Sequence, residues 1–290
     1  MSRRHVLIAG CGYVGQRLAQ RLQQQYEVTG LVRSAARVDE LQRLGIRALS
    51  IDLDRVRAGA QLPERLDHEA VVYLTPPPVL GESDLRLDRF LQLASVPPLT
   101  FVYMSTTGVY GDTGGAIVDE STAVQPRTDR ARRRVSAEEM TRVWCTERRV
   151  RRVVLRVPGI YGPDRLPLER LRRNEPVVRE REAGINNRIH VDDLVEACVC
   201  AIANPEARGV YNVTDGKPFS STAFIELVAK VAGLPPPPQV PMEEAQLTFS
   251  PERLSFLNES RRVSNERMLK HLGVVLKYAD VEAGIRASLG

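Results

Sequence analysis

The sequence predicts an α/β protein built on a doubly wound parallel sheet. Two observations carry this. First, a short apolar run from His5 to Ala9 leads into Gly10-Cys11-Gly12-Tyr13-Val14-Gly15, after which Val14, Leu18 and Leu22 recur every four residues among polar neighbours. Second, apolar runs too short for helices alternate with amphipathic stretches through the first 160 residues, as successive strand–helix units require.

The opening run is a strand, the glycines a tight turn and the following segment a helix. In that context Gly-x-Gly-x-x-Gly is a dinucleotide signature. Gly10 makes the turn, Gly12 lets backbone approach a pyrophosphate, and Gly15 lets the helix pack closely on the strand. The N–H groups of the first helical turn, Tyr13 and Val14 included, face the phosphates with the positive end of the helix dipole. Glu27–Val32 is the second strand and ends at Arg33-Ser34. An NAD site places a carboxylate here for the ribose 2′-hydroxyl, whereas arginine accommodates a 2′-phosphate. No acid lies between Thr29 and Arg37, so Arg33 and Ser34 favour NADP(H) over NAD(H).

Val38–Leu44 reads as a helix stopped by Gly45, and Ile46–Ile51 as a third strand followed by Asp52-Leu53, an adenine-side pair. Ala70–Leu74 is a fourth strand, stopped by Pro76-Pro77-Pro78. Asp84–Ala94 is a helix, Thr100–Met104 a strand, and a further helix ends near Val135–Glu138. Val153–Val157 is the sixth strand and Leu166–Arg173 a short helix. Asp192 and Asp193 are expected to cap a helix over Leu194–Ala203, with His190 as a packed strand residue. Val210–Val213 is a last strand, and Ser220/Ser221 opens the helix Ala223–Ala232. Beyond the stiff Pro235–Pro238 spacer, Pro251–Phe256, Ser264–Leu272 and Asp280–Leu289 read as helices, with Gly273 as a stop.

At 290 residues the chain suits one large or two interlocked domains. No apolar run reaches the length of a membrane span, and the N-terminus reads as a strand rather than a signal peptide. Cys11, Cys145, Cys198 and Cys200 form neither a disulfide ladder nor a metal-ligand pattern, which suits a reducing cytoplasm and no metal. The formal charge is +5, yet lysine occurs only at positions 217, 230, 270 and 277, so nearly every basic residue is arginine. The runs Arg130–Arg134 and Arg148–Arg152 lack any accompanying nucleic-acid signature and suit solvated helix faces or an anionic small-molecule partner.

The fifth strand closes with Ser105-Thr106-Thr107-Gly108-Val109-Tyr110-Gly111. Leu155-Arg156-Val157-Pro158-Gly159-Ile160-Tyr161-Gly162-Pro163, Arg188-Ile189-His190-Val191-Asp192-Asp193 and Gly209-Val210-Tyr211-Asn212-Val213 follow in order. In these motifs the chain resembles the extended short-chain dehydrogenase/reductase family, the NAD(P)-dependent epimerases and dehydratases. The resemblance implies a Rossmann domain over residues 1–157 and 191–214. It also implies an interleaved, smaller substrate-binding lobe from 158–190 and 215–290, and a sugar-nucleotide-like or other anionic substrate. Flanking helices of such sheets commonly pair between copies, making a homodimer a candidate assembly.

Two departures stand out. Ala9 occupies a position where the family usually has glycine. The family's catalytic Tyr-x-x-x-Lys aligns with Arg130 and Arg134, and no tyrosine lies between Tyr110 and Tyr161. Arginine stays protonated and has no lone pair, so it cannot replace tyrosine as a proton carrier. The resemblance gives Thr106 the role of holding the reacting oxygen and Arg134 that of a donor to the nicotinamide ribose. Tyr110 and Tyr161, after the fifth and sixth strands, are candidate proton donors by location, and Arg130 a candidate electrophile or anion holder. Two readings follow: an NADP(H)-dependent oxidoreductase or epimerase-like enzyme, and a non-catalytic NADP(H)-binding sensor.

Overall fold

In the computed structural model, which describes residues 4–56, 60, 62 and 68–290, seven strands form one parallel sheet. They are β1 (His5–Ala9), β2 (Glu27–Val32), β3 (Arg47–Ser50), β4 (Ala70–Tyr73), β5 (Thr100–Thr106), β6 (Arg151–Val157) and β7 (Gly209–Asn212). Their spatial order is β7-β6-β5-β4-β1-β2-β3, every pairing parallel. The chain winds outward from β1 in one direction and returns to wind from β4 in the other. This leaves a crevice beyond the carboxyl ends of β1 and β4, where such sheets bind ligands.

Alternation along the strands builds a core on each side of the sheet. Val6 and Ile8 of β1 face one layer, with Leu18 and Leu22 of α1 (Tyr13–Leu22), Leu41 of α2 (Ala35–Arg43), and Leu194 and Ala201 farther along the chain. Leu7 and Ala9 face the other. There they meet Leu87 and Phe90 of α3 (Leu85–Leu93), and Ala137 and Trp144 of α4 (Asp129–Glu147). The remaining helices are α5 (Leu168–Arg172), α6 (Val191–Ala203), α7 (Ser221–Val231), α8 (Met242–Thr248), α9 (Pro251–Leu257) and α10 (Val281–Leu289). A separate apolar cluster joins Tyr161 to Phe224, Val228 and Ile285. Met268, Leu272 and Val274 instead pack into the core of the main sheet.

Several local expectations shift. Helix α2 starts three residues early, after Ser34 in extended conformation. Helix α4 is 19 residues long, opened by Thr128, whose hydroxyl accepts from Ala131 N. The expected Ser264–Leu272 helix is reduced to a short turn, whose main part, Met268–Leu272, is π-helical and ends at left-handed Gly273. Asp192 and Asp193 do not cap a helix at Leu194. Because α6 begins at Val191, His190 Nδ1 is the cap acceptor, 3.1 Å from Asp192 N. The Asp193 carboxylate instead accepts from Lys277 N and Tyr278 N at 2.7 and 3.1 Å.

One buried network crosses three neighbouring strands. Glu138 of α4 accepts from Arg156 Nε and Nη2 on β6 at 3.1 and 2.7 Å, and from Ser105 Oγ on β5 at 2.5 Å. The two ion-pair side chains are only 7 and 11% exposed. The Arg156 guanidinium also lies 4.9 Å over the Tyr110 ring, and Tyr110 OH donates to Asn212 Oδ1 on β7 at 2.8 Å. Removing one member of such a pair strands a charge inside the protein. Glu138→Ala should therefore cost about 3–5 kcal/mol of stability. Urea denaturation reads this directly, and a loss below about 1 kcal/mol would show that the pair holds nothing in place.

Candidate active site

The glycine loop begins the site. Gly10 has φ +90°, and a Cβ there would lie 2.6 Å from Thr75 N. At Gly15 a Cβ would meet Gly10 O at 2.9 Å, so this residue is what lets α1 sit against the turn. Gly12 has open space where a side chain would be, and its carbonyl accepts from Gln16 N as the first bond of α1. The N–H groups of Tyr13, Val14 and Gly15 lie in the first turn, where no intrahelical acceptor exists. The side chains of Tyr13 and Val14, however, do not line the crevice. Tyr13 OH donates to Pro163 O at 2.7 Å, with Arg17 and Arg165 over its ring at 4.0 and 4.6 Å, and Val14 packs into the core.

A cleft of about 470 Å³ opens from this loop. It brings together Gly10, Gly12, Arg33, Ser34, Asp52 and Leu53, all expected from the sequence, and adds Arg37, Asp54 and Arg86. Arg33 and Ser34 are exposed beyond the end of β2. Asp54 forms a two-pronged pair with Arg86, at 2.8 and 2.6 Å, which holds its carboxyl below the usual carboxylate range. Gly10, Gly15, the open space at Gly12 and the free first-turn N–H groups together make a cradle that fits a dinucleotide pyrophosphate.

Past Pro76 the crevice widens into a central cleft of about 710 Å³ between the ends of β5 and β6 and the outer segments. Thr106, Arg130 and Arg134 all line it. Thr106 Oγ1 accepts from Gly108 N at 3.2 Å, leaving the hydroxyl hydrogen uncommitted. Arg134 donates to Met104 O at 2.9 Å and to Tyr103 OH at 3.0 Å. Arg130, exposed to the cleft, stacks on Phe256 at 4.1 Å. Tyr110 is a correction. It sits in the turn after β5, but its ring points into the network under Arg156 and is 1% exposed, so it cannot reach the cleft.

Three further cleft arginines are not distinguished by sequence alone. Arg133 lies between Arg130 and Arg134, and Arg188 sits inside a motif whose histidine and aspartates draw the eye. Arg261 arrives from the far end of the chain. Arg261 is paired with Glu259 at 2.7 Å, and Arg133 donates to Gly81 O at 2.8 Å. The shortage of lysine is the one available signal. The described lining contains no tyrosine, histidine, lysine, cysteine or carboxylate. His190 is packed between Tyr161 and Tyr278, and burial lowers its pKa to about 4.

A third cavity, about 570 Å³, adjoins the central cleft and shares Gly159, Ile160, Arg188, Ser221 and Phe256 with it. Nearby, the buried Asp215 carboxylate accepts from Lys217 N at 2.9 Å, and burial pushes its pKa up to about 7.

Residues 6–214 match the family described as NAD dependent epimerase/dehydratase. The chain belongs to that family. A conserved protein of unknown function from Silicibacter pomeroyi DSS is 30% identical, with a TM-score of 0.83 over 98% of each chain. UDP-glucuronic acid 4-epimerase from Bacillus cereus, solved in complex with NAD, shares the fold. It has a TM-score of 0.77 and 17% identity over 98% of this chain and 96% of that one. Among characterised relatives, 3-diazoavenalumate denitrifying reductase of Streptomyces sp is 26% identical over 92% of this chain and 94% of its own length. Among the described residues of this family member, no helix is long and apolar enough to cross a membrane.

The raised pKa of Asp215 has a defined consequence. An acid whose folded pKa lies above its unfolded value stabilises the fold at low pH, and that contribution is lost as pH rises from about 3.8 to about 7. Asp215→Asn keeps an acceptor for Lys217 N without the charge. Its stability relative to the parent should rise across that window by a few kcal/mol, at about 1.4 kcal/mol per pH unit, and then level off. Chemical denaturation at pH 4, 5.5 and 8 measures it; a difference that does not change with pH would place the Asp215 carboxylate in contact with water.

Proposed function

We propose that the protein is an NADP(H)-dependent oxidoreductase, reducing or oxidising a carbon–oxygen group of an anionic small molecule. The observation that carries this reading is the adjacency, at Pro76, of the glycine-cradle cleft and a chamber lined by arginines. Arg33 and Ser34 stand where a carboxylate would otherwise select NAD, and they would take the 2′-phosphate. Asp52 and Leu53 would flank the adenine. Bound there, NADP(H) would supply or accept a hydride at its nicotinamide ring.

The chain's own groups then hold the partner. Thr106 donates its free hydroxyl hydrogen to the reacting oxygen. Arg130 stabilises negative charge on the substrate, and Arg134 keeps the end of β5 cationic while its fork is tied to Met104 O. In this reading Arg130 and Arg134 occupy the family's tyrosine and lysine positions, so guanidinium charge stabilises the alkoxide, and the proton that completes or starts the reaction is exchanged with solvent water in the cleft. The smaller lobe, from 158–190 and 215–290 without the Met268–Val274 stretch that packs on the main sheet, borders the substrate side. The Streptomyces relative is named a reductase, which supports reduction over epimerisation. Four free cysteines suit a cytoplasmic setting. Among the described residues the cleft lining holds no titrating proton donor, which favours a second reading, a non-catalytic NADP(H) sensor.

Two experiments test the proposal. By fluorescence titration NADPH should bind at least about tenfold tighter than NADH, the worth of one charge-assisted contact, and Arg33→Ala should bring the two close together. Gly12→Val should abolish binding of both, and equal affinities in the parent would refute the cofactor assignment. Once a substrate is found, Thr106→Val and Arg130→Ala should each slow turnover by about tenfold or more with NADPH affinity unchanged. If neither slows it, the chemistry lies elsewhere; if no compound is turned over, the sensor reading stands.

A further inference from the structure

The third cavity shares no lining residue with the glycine-loop cleft, and one residue at its mouth is chemically incomplete. Arg188 begins the short strand Arg188–His190, which pairs in parallel with Gly159–Tyr161. Its guanidinium stacks on Phe224, 4.1 Å from the ring centroid. It also crowds Gly159 so closely that a Cβ there would lie 2.8 Å from Nη1, which makes glycine at 159 part of the arrangement. Arg188 Nε is sealed from solvent and has no hydrogen-bond partner. Among the described residues, no acceptor meets any side-chain N–H of Arg188, and no carboxylate comes within 4.0 Å of it. Burial lowers its pKa to about 10, against the pull of the Asp215 carboxylate, which acts on it from beyond contact distance. A guanidinium held this way is costly unless an anion completes it.

The cavity's other arginines differ from Arg188 in having a carboxylate, a backbone carbonyl or open water beside them. Arg170 is paired with Glu175 at 3.0 Å, Arg253 donates to Pro176 O and stacks on Phe249, and Arg165 is exposed to water beside Tyr13. Most of the remaining wall is hydrocarbon, from Ile160, Val177, Val178, Phe224, Ile225 and Leu257. Such a wall rewards an apolar body. A nucleoside diphosphate would instead press a polar base and two anionic groups against a largely hydrocarbon wall. Ser221, the first residue of α7, lies at the same mouth and adds the positive end of an 11-residue helix.

We propose that Arg188 anchors the carboxylate of an arylalkanoic acid, with the aromatic body in the third cavity and the acid group facing the central cleft. A planar carboxylate matches the guanidinium fork in a way that a neutral amide cannot. The reacting carbon is then one close to the acid group. This rests on the oxidoreductase reading and narrows its substrate to an amphiphilic monoanion.

Isothermal titration of 3-phenylpropionate, 3-phenylpropanamide, UDP and UDP-glucose, with and without saturating NADPH, tests the assignment. The acid should bind at least tenfold tighter than the amide and tighter than either uridine nucleotide. Arg188→Met should erase the acid–amide difference. It should also raise the melting temperature of the ligand-free protein, because an unsatisfied buried charge is removed; a merely structural arginine would give a fall. Equal binding of acid and amide by the parent, tighter binding of UDP or UDP-glucose, or a tenfold preference surviving in Arg188→Met would each overturn the inference. Failure of NADPH itself to bind would strike the oxidoreductase reading, whereas NADPH binding with no preference for the acid would strike this inference alone.

Discussion

The working face of the protein depends on the rotation of α4 about its axis, and one buried ion pair sets it. Arg130, Arg134 and Glu138 are spaced four apart and so lie along one stripe of the helix. The stripe's inner end is fixed by Glu138 on Arg156 and Ser105. Its outer end then has no choice but to present two guanidinium groups to the cleft. The apolar contacts of α4 are few and small apart from Trp144, with Ala131, Ala137 and Cys145 the others fully buried. Hydrophobic burial alone would leave the helix free to turn, and the hydrogen-bonded pair supplies the missing directionality.

That arrangement also explains how so much positive charge is tolerated at one site. Arg133 and Arg261 spend their hydrogen bonds on backbone carbonyls, at Gly81 and Gly111. Arg261 adds Glu259, and Arg134 adds Met104 O and Tyr103 OH. Fixed acceptors and ring faces stand in for part of the water, while Arg133 Nε has no partner among the described residues and burial together with the neighbouring Arg134, Arg261 and Arg133 lowers the Arg130 pKa. Arginine suits this better than lysine, because its planar fork can satisfy two acceptors and lie flat on a ring at once.

What can be read from the sequence follows the reach of each signal along the chain. The glycine turn, the missing acid at Arg33 and the strand–helix alternation are local, and the structure gathers Gly10, Gly12, Arg33, Ser34, Asp52 and Leu53 around one cleft. Tyr110 departs from expectation because position after a strand does not tell which way a ring turns; the buried Asn212 and Arg156 decide it. Asp192 and Asp193 look like caps by composition, but a helix that starts at Val191 already has His190 as its acceptor. Arg188, Arg261 and Phe256 join the site only through tertiary packing, from segments that carry no nucleotide signature.

The prolines that end β4 give the central cleft a second character. Pro76, Pro77 and Pro78 line it and contribute no N–H, and the Pro76 and Pro77 carbonyls accept from Arg86. The guanidinium groups of α4 contribute N–H and no lone pair. A backbone wall with no donor of its own thus faces guanidinium groups with no lone pair, and an entering molecule meets its donors on the α4 side rather than along the prolines.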